Sequence, residues 1–497
     1  MKIFTASVIK EWDRYTISNE PVSSIDLMER AALACVQWLM KEQLCTDPIN
    51  IFCAKGNNGG DGLAIARILH LHGCQVSVFI LESELKGSDD FEINFSRLQR
   101  LLKINFLSTF EDFPVLKTNE VVIDALFGTG LNKPIEGIAA ALIYVINDSD
   151  NKVISIDLPS GLYADRTSIG NPIISATNTL TFQTSKLSLL LAENSDFTGT
   201  VHVLDIGLDQ NFYTQTNASF EFIESGLIKQ IYKPRPDFAH KGDFGFGCII
   251  AGSYGMMGAA VLATRACLTI GAGKVVSVVP KKGYAVMQVS APEAMTITSG
   301  TKYIKELPAL EKYSAIGIGP GIGIREAHRK LLHTLFTNYG KPIVLDADAL
   351  TVLSSNQKLI ELIPQDSILT PHPAEFDRLF GKCENDFERI EKARQKAKEL
   401  NIYIVLKGHH TFIATPGEMG YFNSTGNPGM ATGGSGDVLT GIIAGLLAQQ
   451  YSSLEACLLG VYLHGLAGDI AARETSQETL LASDIIKYLD QGFRQLH

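Results

Sequence analysis

Short apolar runs rich in β-branched residues alternate along this chain with longer segments whose apolar positions recur every third or fourth residue. In the first half "INIFCAKG" (49–56) leads into "DGLAIARILHLHG". Then come "QVSVFIL" (75–81), "EVVIDALFG" (120–128), a helical pattern in "IEGIAAALIYVIN", and "KVISIDLPSG" (152–161). Near-continuous apolar runs separated by amphipathic helices predict a parallel, doubly wound sheet with helices on both faces. Ligands in such sheets bind beyond the C-terminal ends of the strands, which is where the polar residues of this half collect.

The alternation weakens after "TVHVLDIGLDQ" (200–210), where "NFYTQTNASFEF" shows no clear helical period. A second series follows: "FGFGCIIAGS" (244–253), "KVVSVVP" (274–280), "YSAIGIGPG" (313–321), "PIVLDAD" (342–348), "SILTPHP" (367–373) and "IYIVLKG" (402–408), with "DVLTGIIAGLLAQQ" as the final helical stretch. The pattern predicts two three-layer α/β domains, residues 1–215 and 222–497, with the boundary between 212 and 225. The chain length of 497 residues agrees with more than one core.

Composition narrows the partners. A formal charge of −10 argues against a nucleic-acid polymer, whose binding depends on Lys and Arg neutralising phosphates. No signal peptide and no run long enough to cross a bilayer is apparent, so a soluble, cytoplasmic protein with no membrane partner is expected. The eight cysteines include no C-x-x-C pair and read as reduced core residues.

Polar loops at strand ends supply the chemistry. "GNNGGDG" (56–62) joins a strand to a helix but has neither the P-loop Lys-Ser/Thr nor G-x-G-x-x-G spacing. It offers Asn57, Asn58 and Asp61. Asp124 precedes "LFGTGLNKP", and Asp157 and Ser160 lie in "DLPSG". Two carboxylates, an amide and a hydroxyl suit a hard cation held by oxygens. Equally, Asp124 and Asp157 can be read as turn caps.

In the second half, "GPGIG" (319–323), "TPHPAE" (370–375, with His372), "KGHHT" (407–411) and "GGSGD" (433–437) all follow strands or open a helix. A glycine-rich turn opening a helix is an anion site, yet Asp437 stands in it. Asp437 alone would serve as an N-cap. The glycines Gly433, Gly434 and Gly436 before it are costly in backbone entropy unless a ligand must come close, and a polyphosphate fits.

"NPGMATGGSGD" with "KGHHT" and "TPHPAE" resembles the ribokinase-like superfamily, and within it the ADP/ATP-dependent NAD(P)H-hydrate dehydratases. "GNNGGDG", "DALFGTGLNKP" and "DLPSG" resemble NAD(P)H-hydrate epimerases. In this order, over nearly the whole chain, they resemble the bacterial bifunctional NAD(P)H-hydrate repair enzymes. The resemblance implies a Rossmann-like N-terminal domain and a ribokinase-like C-terminal one. It places the epimerase substrate on Asn57, Asn58, Gly59, Gly60 and Asp61, on Gly128, Thr129, Gly130, Leu131, Asn132, Lys133 and Pro134, and on Asp157. It places potassium on Asn58, Asp124 and Ser160. In the dehydratase it places the hydrated cofactor on Ala259, Gly323, His372 and Asp437, and ADP along Lys407, Gly408, His409, His410, Thr411 and Gly436. Tyr163, where Asp is more usual, and Ala374, where Gly is commoner, depart from the pattern without touching an assigned role.

The implied activity is repair of hydrated nicotinamide cofactors, NADHX and NADPHX. Asp157 is the expected proton donor and acceptor as R- and S-hydrates interconvert. Asp437 is the expected base that activates the S-hydrate hydroxyl toward the terminal phosphoryl of ADP, with Mg²⁺ on the nucleotide, giving AMP, phosphate and NAD(P)H. A homo-oligomer is expected, since such folds assemble through helical faces. The competing readings are a ribokinase-like kinase that stops at a phosphorylated small alcohol, joined to an N-terminal nucleotide-binding module, and a first half that binds without turnover.

Overall fold

A computed structural model describes residues 1–84 and 86–496 of the chain. The backbone separates into two compact units, one of residues 2–218 with 385–387, the other of Met1 with 219–384 and 388–496.

The first unit is built on strands β1 (Ile49–Cys53), β2 (Val76–Leu81), β3 (Ile104–Leu107), β4 (Val121–Ala125), β5 (Lys152–Ile156), β6 (Asn178–Phe182) and β7 (Thr200–Leu204). They are parallel and ordered β3-β2-β1-β4-β5-β6-β7. β3 and β6 escape the sequence pattern because both carry polar residues, and β3 is only four residues long. Every residue of β1 and β4 is buried. Ile49, Ile51 and Cys53 pack on one face against helices Ser24–Lys41 and Asn57–Leu71; Phe52 and Val122 pack on the other with helix Gly137–Asn147. Fully burying one such side chain contributes about 1.5–3 kcal/mol, so the sheet is held from both sides. Strand order reverses between β1 and β4, and the crevice there is where a doubly wound sheet takes its ligand.

"GNNGGDG" is not a loop as expected. Helix Asn57–Leu71 begins at Asn57 and absorbs the glycines into its first turns. Close packing is the reason: a Cβ at Gly59 would stand 1.7 Å from the Ala54 carbonyl oxygen, and one at Gly62 would stand 2.6 Å from the Ala125 methyl. The glycines bring the helix down onto β1 and β4.

The second unit contains β8 (Phe220–Phe222), β9 (Phe246–Ile250), β10 (Lys274–Val279), β11 (Met295–Thr298), β12 (Ala315–Ile318), β13 (Ile343–Leu345), β14 (Ile368–Leu369), β15 (Tyr403–Leu406), β16 (Phe412–Ala414) and β17 (Gly420–Phe422). They run in the order β8-β17-β16-β15-β14-β13-β12-β9-β10-β11. The centre is parallel, and β15, β16 and β17 pair antiparallel. "NFYTQTNASFEF", without period in the sequence, supplies helix Gln210–Gln215 of the first unit and β8 of the second.

Helix Ser435–Ala448 is not the last helix. Ser453–Glu474 and Ala482–Arg494 follow and share its core. Ser453–Glu474 has the length and hydropathy of a membrane span, contrary to the expectation that no run does, but 78% of its apolar window is buried inside the protein. It reads as a core helix. All eight cysteines are free thiols.

Candidate active sites

In the first unit the crevice between β1 and β4 gathers the predicted residues. Asp124, next to last in β4, is fully buried. Its carboxylate accepts the Ser160 hydroxyl at 2.5 Å, the Ser160 amide at 2.8 Å, the Ser155 hydroxyl at 2.8 Å and the Leu126 amide at 3.2 Å. Burial raises its pKa and the Ser160 hydrogen bonds oppose the rise. Ser160 also accepts the Phe127 amide at 2.8 Å, so it ties the two strand ends together. Asn58 is 8% exposed, and both of its amide atoms are buried without a hydrogen-bond partner. A Cβ at Gly128 would stand 2.8 Å from Asp157 Oδ2 and 3.2 Å from Asn58 Cγ, so the glycine leaves room beside both side chains. In the loop that follows, Gly130, Asn132, Lys133 and Pro134 are exposed, Thr129 and Leu131 are half-buried, and Asn57 is exposed beside the buried Gly59 and Gly60.

Asp157 follows β5 with φ of +67°, a left-handed conformation that costs an aspartate on the order of 1 kcal/mol and aims its side chain back into the crevice. Its Oδ2 accepts the Thr129 amide at 2.9 Å and its Oδ1 lies 2.8 Å from the Lys186 ammonium. Burial alone would raise this carboxyl. The Lys186 charge and hydrogen bond, with the Thr129 amide, outweigh it and hold the pKa below the ordinary value. A carboxylate in that state is charged and free to accept a proton, one half of the donor-and-acceptor role expected of Asp157. Nearby, desolvation and then the charges of Asp157, Asp13 and Asp90 push Asp61 well up, and burial lifts Asp13 to about 6.

In the second unit the predicted segments also converge at the C-terminal ends of the central strands. Lys407, just past β15, places its ammonium 2.9 Å from Asp346 Oδ1 and 3.9 Å from Glu375 Oε2. Asp346, 1% exposed at the end of β13, accepts the Thr440 hydroxyl at 2.7 Å through its other oxygen. Glu375 caps helix Pro373–Phe380 by accepting the His372 amide at 2.9 Å, and the half-exposed His372 ring lies 3.6 Å from it. Gly323 donates its amide to Asp348 at 2.8 Å. Ala259, on helix Met257–Thr269, stands 3.2 Å from where a Cβ at Gly321 would be, beside the same loop. A Cβ at Gly436 would stand 3.4 Å from the Lys407 ammonium.

Asp437 lies in the first turn of helix Ser435–Ala448, and its pKa is pushed up to about 6 by burial and by Asp346, with Lys407 opposing. The loop before it is clamped by helix Ser453–Glu474. Asp469 accepts the Gly426 amide and the Asn427 side chain, both at 2.9 Å, and His464 lies 3.0 Å from the Ser435 carbonyl. Gly408 and His409 are exposed, while Thr411 closes a turn onto the Gly408 carbonyl at 3.0 Å. His410 turns inward, its ring 3.0 Å from the Asn423 carbonyl and edge-on to Phe222.

Lys186, Asp346, Asp348, Glu375 and Thr440 carry no site assignment from the sequence. "LDAD" at a strand end held a usable signal, two carboxylates where such sheets bind ligands.

Comparison with known proteins decides between the readings. A family model described as NAD(P)H-hydrate dehydratase matches residues 247–491, and one described as YjeF-related protein N-terminus matches 24–188. The bifunctional NAD(P)H-hydrate repair enzyme of Moorella thermoacetica is 36% identical over 523 residues, covering 100% of this chain and 97% of that protein. The chain belongs to the bifunctional NAD(P)H-hydrate repair family. The Escherichia coli member is 31% identical over 98% of this chain and 93% of its own length. Among solved structures, the ADP/ATP-dependent NAD(P)H-hydrate dehydratase of Bacillus subtilis, co-crystallised with ATP/Mg²⁺, is 32% identical. It aligns with 56% of this chain and 99% of its own, with a TM-score of 0.50. The kinase and the non-catalytic readings give way to a repair enzyme with an epimerase and a dehydratase in one chain.

Proposed function

We propose that residues 1–215 interconvert R- and S-hydrates of NADH and NADPH, and that residues 222–497 dehydrate the S-form with ADP. The meeting of Asp437, Lys407, Asp346 and Gly436 at one helix N-terminus carries this reading.

In the dehydratase, Asp437 takes the proton from the hydroxyl on the ring carbon next to nitrogen as that oxygen attacks the terminal phosphoryl of ADP. The backbone N–H groups of residues 434–436 and the Lys407 ammonium face the charge that develops. AMP departs, phosphate leaves the ring carbon with the former hydroxyl oxygen, and loss of the neighbouring ring proton restores NAD(P)H. His372, Gly323 and Ala259 border the acceptor side, and residues 407–411 with Gly436 border the nucleotide. Among the described residues no group of three or more His, Cys, Asp or Glu side chains is placed to hold a metal. Mg²⁺ would come with the nucleotide, held by its phosphates and water with Asp346 and Asp348 as the carboxylates at hand, and would neutralise charge on the polyphosphate.

In the epimerase, the ionised Asp157 stabilises positive charge on the ring as the hydroxyl departs and takes the proton of the water that returns to the opposite face. Asn57 to Asp61 and Gly128 to Pro134 border the substrate. Asn58 fits a ligand on both sides: an unpaired buried amide costs about 1–3 kcal/mol per group. Its oxygen suits potassium beside Asp124 and Ser160, and its nitrogen suits a substrate acceptor. Potassium held there would supply charge that fixes the crevice loops.

The test is to give the full chain a mixture of R- and S-NADHX with ADP and follow dihydronicotinamide absorbance. The reading requires both epimers to be consumed and phosphate released. Accumulation of a stable phosphorylated hydrate, or conversion of half the mixture only, overturns it.

A further inference from the structure

Lys186 has no part in the chemistry described so far, yet it is the most completely enclosed cation of its unit, 1% exposed beneath the crevice. It follows β6 and directs its ammonium to three oxygens: Asp157 Oδ1 at 2.8 Å, the Thr181 hydroxyl at 2.8 Å and the Phe182 carbonyl at 3.0 Å. An ammonium has three donors, so this set satisfies it completely. Two of the acceptors belong to the strand that carries the lysine, and they fix its head; the third is Asp157. The Thr129 amide engages the other oxygen of Asp157. The carboxylate is therefore held at both ends, in a residue whose backbone is already confined to the left-handed region.

Burying a lone ammonium is expensive, and burying it against a neutral acid offsets little of that cost. The enclosure makes sense when Asp157 bears the opposing charge. We propose that Lys186 is a positioning residue of the epimerase, the fixed ammonium that keeps Asp157 ionised and assigns it the proton-accepting half of the reaction. The inference rests on the reading that Asp157 acts on the hydrate.

The groups facing this pair from the packed elements are Asp13 on helix Ala6–Asn19, Cys35 on helix Ser24–Lys41, and Asp61 on helix Asn57–Leu71. Asp13 feels both charges of the pair, and Asp61 lies near Asp157 and Asp13. Atoms balance on Asp157 alone: it takes a proton from the returning water and passes it to the departed hydroxide, which leaves as water, so the carboxylate is restored.

The experiment follows R- to S-hydrate exchange by the full chain without ADP across pH 3.5–8, so that the dehydratase does not enter the readout, with exchange in enzyme-free buffer subtracted. S-NADHX conversion by the same preparation, with ADP added, reports on the other half. Lys186→Arg keeps the charge, Lys186→Gln keeps a hydrogen bond without it, and Lys186→Met removes both. An opposite charge at this distance moves a carboxyl by about 1–3 pH units. Removing it raises the Asp157 pKa, so the rate of exchange in Lys186→Gln and Lys186→Met should begin to fall at a pH about one unit or more higher as the solution is acidified. Lys186→Arg should follow wild type, and S-hydrate conversion should be unchanged in all three. An unmoved acid limb in Lys186→Gln overturns the inference, as does a Lys186→Arg profile that matches Lys186→Met. Asp157→Asn separates the two readings: exchange at the full rate there refutes the role of Asp157 itself, whereas an inactive Asp157→Asn beside an unmoved Lys186→Gln refutes only the role of the lysine.

Discussion

Lys407 and Asp346 face each other at 2.9 Å across the ends of β15 and β13, and the remaining oxygen of Asp346 holds Thr440 on the catalytic helix. One buried carboxylate thereby fixes the cation and the helix that together face the phosphoryl group. Asp346→Ala should lose hydrogen bonds to a charged group worth about 1.5–3 kcal/mol. That corresponds to roughly ten- to hundredfold in dehydratase kcat/KM where the loss falls on the transition state. Steady-state rates with S-NADHX should show this fall, and epimerisation should remain at the wild-type rate.

Gly434 and Gly436 are expected to respond differently to alanine. Gly434 has φ of +94°, so a Cβ there is strained and should cost about 1–2 kcal/mol, visible as a lower melting temperature. Gly436 is helical and its Cβ would meet only the Lys407 ammonium, at 3.4 Å, and Asp346 Oδ2, at 3.7 Å. Gly436→Ala should melt no lower than wild type, because alanine favours the helix by up to about 1 kcal/mol. It should instead raise KM for ADP by filling the space a phosphate needs.

The raised pKa of Asp437, about 6, sets a direction for activity and for stability. A base must be ionised, so dehydration should fall as pH drops through about 6. Stability runs the other way. A carboxyl whose pKa is higher in the fold than unfolded contributes most below its unfolded value, near 4, and that contribution is lost as pH rises through about 6. Asp437→Asn should therefore melt higher than wild type at pH 7, and a pH series of melting curves checks it.

Asn58, Asp124 and Ser160 predict an ion dependence confined to the first half. Exchanging potassium for lithium should slow R-hydrate conversion severalfold and leave S-hydrate conversion nearly untouched. Equal R-hydrate rates in both salts would remove potassium from the account.

The alternation of apolar runs made both parallel sheets legible, because strands buried on two faces must be apolar throughout, as β1 and β4 are. The strand-end loops were legible for the same topological reason. Mixed and very short strands were not: β6 mixes Asn and Thr with its apolar residues, and β16 and β17 are three residues each, below the length at which a period can be read. "GNNGGDG" misled because its glycines serve helix packing against Ala54 and Ala125, a tertiary demand that overrides their turn preference. The pairings of Lys186 and Asp346 were hidden for a related reason, although the strand-end position of Asp346 was a usable signal. The partners lie 29 residues away at Asp157 and 61 residues away at Lys407, and only the folded strands bring them together.

The most direct measurement is the rate at which Asp437→Asn converts pure S-NADHX to NADH with saturating ADP, with R- to S-hydrate exchange followed in the same preparation. A positioned general base of this kind is worth about 10² to 10⁴ in rate, so the account predicts a loss of that size with epimerisation intact. An asparagine enzyme that restores NADH at the wild-type rate would contradict it.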